Sequence, residues 1–190
     1  MEYLEIKIEE SKNKGFLVFP GKSIYDKIYE GFIMSFIIGS IPLLPAVVLL
    51  NALKNDKPIL IPLSVFFVAV IICSSLIYSL LTINKLKKVK GISGSKNRNI
   101  VKEISNDINW DIQRHNQQIT VLNKNWSWTS TNWGRQLIII YDKEDILVDC
   151  ITFAQHGMKS PFHWFSSRRV EKKLTNNFIL KIKNATQQNL

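Results

Sequence analysis

From Phe32 to Leu53, and again from Ile59 to Ile83, the chain carries no acidic or basic residue, and only Lys54, Asp56 and Lys57 are charged between the two runs. At a rise of about 1.5 Å per residue, either run wound as a helix reaches across the roughly 30 Å hydrocarbon core of a bilayer. A buried helix pair in a water-soluble protein would show a polar stripe. Here the polar side chains are small, such as Ser35, Ser40, Ser64, Cys73 and Ser79. Hydroxyls of this kind are tolerated in lipid because they bond to their own helix. The first run also lies behind a mixed acidic and basic segment, unlike the short basic start of a secretory signal peptide. The runs predict a two-helix transmembrane hairpin.

Charge then sets the expected orientation. More than half of the net charge of +10 falls in residues 85–98, where Lys85, Lys87, Lys88, Lys90, Lys96 and Arg98 follow the second run without an acid. Basic flanks stay on the cytoplasmic side, so both termini are expected in the cytoplasm. The pI of 9.6 is thereby largely a juxtamembrane feature. Lysine supplies most of the basic residues and lacks arginine's planar fork for phosphates and base edges, so no nucleic-acid partner is expected. Cys73 and Cys150 are read as reduced, packed thiols.

Four regions follow: an N-terminal segment, 1–30; the transmembrane hairpin, 31–84, with spans near 32–53 and 59–83; a basic linker, 85–95; and a cytoplasmic domain, 96–190. In the first, Leu4, Ile6 and Ile8 alternate with charged residues, and Gly15 to Phe19 follow a polar turn. This pattern predicts a β-hairpin, which needs a further surface to lean on. Ser23 is placed to cap a short helix leading into the first span. Pro42 and Pro45 are expected to kink that span.

In the last region, Ile100, Val101, Ile104 and Ile108 recur at helical spacing. The period then shortens to that of strands over 110–113, 118–122, 136–141 and 146–153. Ser166 or Ser167 is expected to cap a final helix with Val170, Leu174, Phe178 and Ile182 on one face. The fold class is α+β: helix, four antiparallel strands, helix, with the N-terminal hairpin as a candidate extension of the sheet.

Three features bear on chemistry. His156 and His163 lie near Asp149 and Cys150, a set that suits thiolate activation or metal binding by residue type but not by spacing. Trp126, Trp128 and Trp133 form an aromatic loop suited equally to packing and to contact. In "SPFHWFSSRR", residues 160–169, the rings are read as plugging the core at a strand-to-helix joint. The other reading is a wedge at the lipid interface, with Trp164, Arg168 and Arg169 as contacts. Phosphate-binding glycine loops, nucleophile elbows and helical HExxH patterns are absent from the sequence.

The expectation is a multi-pass bacterial inner-membrane protein that presents a cytoplasmic binding module to membrane lipids, a protein partner or a second copy of itself. No enzyme activity, cofactor or metal is expected. The contact candidates are Lys85, Lys87, Lys88, Lys90, Trp126, Trp128, Trp133, Trp164, Arg168 and Arg169. The alternatives are a small membrane enzyme using His156 and His163, or a subunit of an oligomeric channel or transporter.

Overall fold

The computed structural model describes residues 5–21, 23–124, 134–153 and 159–187. The chain divides into two compact units, one formed by Gly21–Thr82 and the other by Met1–Pro20 together with Ile83–Leu190.

The Gly21–Thr82 unit is a helical hairpin. Ser23 caps the first helix, α2 (Ile24–Lys54), its hydroxyl accepting the Asp26 N–H at 3.1 Å. The helix runs through Pro42 and Pro45 as one element. After a turn in which the Asn55 amide donates to the Asn51 carbonyl at 2.8 Å, α3 (Leu60–Thr82) returns. Both helices are long and apolar enough to cross a membrane. Ile38, Ala52, Ala69 and Leu76 are buried, whereas large side chains such as Phe32 and Leu60 stand 71% and 78% exposed. The hydroxyls of Ser40, Ser64 and Ser74 donate to carbonyls three or four residues back. These three hydroxyls are thus satisfied within their own helices, as an apolar surrounding requires.

The other unit is built on a five-stranded antiparallel sheet: β1 (Lys87–Val89), β2 (Asp111–His115), β3 (Ile119–Lys124), β4 (Arg135–Asp142) and β5 (Asp145–Thr152), in the order β1-β5-β4-β3-β2. The central strands are apolar on both faces because both are covered. Leu137, Ile139, Tyr141, Ile146 and Val148 meet α4 (Gly94–Asp107) and α5 (Trp164–Gln187) through Val101, Ile104, Leu174 and Phe178. Ile119, Val121, Ile138, Ile140 and Ile151 meet Leu17, with Ile6, Ile8 and Phe19 around it.

The N-terminal cover is the expected hairpin only in part: the Lys7 N–H donates to the Val18 carbonyl at 2.8 Å, but the chain between them is helical. Ile8–Lys14 form a helix, α1, with Glu9 and Glu10 in its first turn and Lys12 and Lys14 in its last, the order that suits the helix dipole. Ion pairs at helical spacing, Lys7–Glu10 and Lys12–Glu9, each 3.0 Å, add to it. The strand-like alternation of Ile6 and Ile8 is outweighed by these charges. Gly15, at φ 68°, ends the helix in the left-handed conformation. The following residues bridge to the segment just before β1: the Leu17 N–H donates to the Asn84 carbonyl and the Leu86 N–H to the Gly15 carbonyl.

The stretch read as a basic linker is also structured. Lys87–Val89 pair with Val148, Leu147 and Ile146 of β5, giving a fifth strand where four were expected. Lysines on an edge strand discourage further pairing, and they obscure its apolar pattern. The last helix starts earlier than the serine caps suggested. A 3-10 turn, Pro161–His163, leads directly into α5 at Trp164, proline being well suited to a first turn.

Candidate interaction surface

The first turns of α5 have an inner side and an outer side of different chemistry. Three contacts fix the inner side. Arg135 donates to the Ser166 hydroxyl at 2.7 Å, the hydroxyls of Thr152 and Ser167 lie 2.9 Å apart, and Ser160 bonds to His163 Nδ1 at 2.7 Å. Ser166 and Ser167 therefore dock the helix rather than cap it.

One turn on, Arg168 reaches inward. Its guanidinium pairs with Glu171, lies 3.6 Å from Asp149 and donates to the Lys85 carbonyl at 3.4 Å. Asp149 is fully buried, and Glu171 is 3% exposed. Asp149 Oδ1 accepts the Cys150 N–H at 2.9 Å, while Oδ2 has no hydrogen-bond partner among the described residues. Burial raises the Asp149 carboxyl well above the usual range; Arg168 opposes the shift and Glu171 adds to it. Burial likewise raises Glu171 against the pull of Arg168.

The outer side carries Phe162 and Phe165, 52% and 66% exposed, followed by exposed Arg169, Lys172 and Lys173. The expectation that the rings plug the core is thus reversed for Phe162 and Phe165, and Arg168, named above as a contact candidate, is turned inward onto Asp149 and Glu171. Trp164 is half-buried, with its ring edge-on to Phe165 at 4.8 Å. The outward placement has a signal in the sequence: Phe162, Phe165, Arg169 and Lys172 follow one another at helical spacing, opposite the stripe of Leu174 and Phe178.

The remaining contact candidates are dispersed. Lys85 bridges to Phe16, Lys87 donates to the Thr175 hydroxyl at 3.5 Å, Lys88 pairs with Asp145 at 3.0 Å, and Lys90 is exposed. Trp126, Trp128, Trp133 and His156 lie outside the described residues.

The chemistry-bearing group near Cys150 is subdued. Burial, reinforced by Asp149, pushes its thiol strongly upward, so it stays protonated at neutral pH. Burial and the nearby Arg135 hold His163 below the ordinary histidine range. Among the described residues no cluster of His, Cys, Asp and Glu is placed to hold a metal ion.

A second polar chain, running from exposed His115 to buried Thr120 and Tyr141, was missed by sequence reasoning. His115 Nδ1 lies 2.8 Å from the Thr120 hydroxyl, which lies 2.7 Å from the Tyr141 hydroxyl. Burial pushes the Tyr141 phenol up to about 12. Three hydrogen-bonding groups on three adjacent strands meet here, and the pairing of β3 with β4, which brings Tyr141 to Thr120 from 21 residues away, hides the arrangement.

In comparisons with known proteins, no family model, no curated protein and no solved structure matches this chain.

Proposed function

We propose that the protein is an integral membrane protein of a bacterial inner membrane. In this reading α2 and α3 cross the bilayer, both termini lie in the cytoplasm, and the sheet unit is a binding module rather than an enzyme. The observation that carries the reading is the character of α2 and α3: their large apolar side chains are exposed, while the hydroxyls of Ser40, Ser64 and Ser74 bond to carbonyls of their own helix. In water such a surface would aggregate; in lipid it is the matched solvent. The orientation is supported by the lysines that follow α3.

Membranes from cells making the full chain should retain it through an alkaline carbonate wash. A reporter fused after Leu190 that is active only outside the cytoplasm should stay silent. Release by carbonate would overturn the membrane crossing, and an active reporter would reverse the orientation.

A further inference from the structure

We propose that the outward face of α5 docks on anionic lipid headgroups. The proposal rests on the membrane-protein reading above and names the ligand of its module.

Three observations combine at this face. Its charge has one sign: Arg169, Lys172 and Lys173 are exposed, and Lys183 is exposed further along. The helix has one carboxylate, Glu171, and it is turned inward onto Arg168. The fold thereby removes from the surface the one acid that would offset the basic row.

Apolar area accompanies the charge. Phe162 and Phe165 stand more than half exposed at one end, and Leu180 is 57% exposed toward the other. The buried stripe of the same helix holds Leu174, Thr175 and Phe178, so these outer side chains are not needed for the core. Aromatic rings next to a basic row fit the boundary between headgroups and acyl chains, where rings enter the interface and cations meet phosphates. An acidic protein would satisfy the lysines but would need an apolar pocket for the rings. A membrane surface supplies both at once.

The strength is matched to a tethered contact. Each basic residue near an anionic leaflet contributes about a fivefold gain, which is weak for a free protein. Covalent attachment to the spans raises the effective concentration of lipid at this face, so a modest gain suffices.

The test uses the full chain reconstituted into vesicles of phosphatidylcholine, with or without phosphatidylglycerol. A Cys73→Ser background removes the less buried native thiol. A spin label is attached at Asn176→Cys on the outward face or at Asn99→Cys on α4, both exposed positions. With phosphatidylglycerol, collisions of a water-soluble relaxing agent with the label at 176 should fall severalfold, while those at 99 change little. The triple variant R169E/K172E/K173E should restore the collisions, and K172Q/K173Q should do so in part. Near-UV circular dichroism checks that each variant is folded.

Equal accessibility at 176 in both lipids would overturn the proposal. So would protection that survives in the folded triple variant, or protection that appears only when a soluble protein extract is added, which would point to a protein partner. A carbonate wash of the same vesicles separates the two readings. Retained protein with an unprotected label refutes the docking alone, whereas released protein refutes the membrane anchoring and the docking with it.

Discussion

Arg168 holds two carboxylates that the fold has taken out of water. Asp149 and Glu171 are both nearly inaccessible, and the guanidinium is their shared cation. A buried charge left without its partner is far more costly than the net value of the pair. Arg168→Ala should therefore destabilise the sheet unit by about 3 kcal/mol, read from denaturant unfolding followed by near-UV circular dichroism. The two carboxyls also set a pH dependence. Their folded pKa values are raised, so the folded state keeps protons that the unfolded chain releases. Stability is then fullest below the unfolded values near about 4 and falls as pH rises through the raised folded values. Asp149→Asn should flatten that decline and raise stability at neutral pH, since an amide needs no counter-charge. A steeper decline in Asp149→Asn would refute this assignment.

At the scale of elements, the edge strand β1 is kept in place by a close approach at Gly91. A Cβ on Gly91 would stand 2.3 Å from the Glu144 carbonyl oxygen and 2.4 Å from the Asn97 amide nitrogen. Asn97 is itself buried, donating to the Glu144 carbonyl at 2.8 Å and accepting the Ile92 N–H at 3.0 Å. One side chain thus ties the end of β1 to the β4–β5 turn. Gly91→Ala should cost about 1–3 kcal/mol in unfolding free energy, the range for forced overpacking. It should also speed hydrogen exchange at the β1 amides. Wild-type protection in the variant would show that the loop can yield. The same region shows what was legible in the sequence. Helices α2 and α3, the period of α4 and the strands of the two central hairpins follow from apolar spacing, which is local. Strand β1 does not, because only Val89 is buried among its three residues and its partner lies more than fifty positions away. In α5 the buried stripe was legible. The inward turn of Arg168 was not, because it depends on Asp149 from a different strand.

At the scale of the whole chain, the sheet unit is assembled from both sides of the helical hairpin in sequence. Residues before α2 cover one sheet face, and everything else in the unit follows α3. Leu17 is the centre of this cover, 4% exposed against Ile119, Val121, Ile138, Ile140 and Ile151. Its backbone N–H donates to the Asn84 carbonyl at 2.8 Å, so packing and hydrogen bonding fail together if the segment lifts away. Without that cover, a β-branched apolar face would meet water, a loss that the helices on the opposite face cannot offset. The N-terminal segment should therefore unfold with the sheet rather than before it. Native-state hydrogen exchange on the full chain in detergent should give the Leu17 and Leu86 amides the same opening free energy as those of β4 and β5. Leu17→Ala should lower all of these values together by about 2–5 kcal/mol, the range for a large-to-small change in a core. If the Leu17 amide alone lost protection while β4 and β5 kept theirs, the segment would be a detachable cover and not part of the cooperative core.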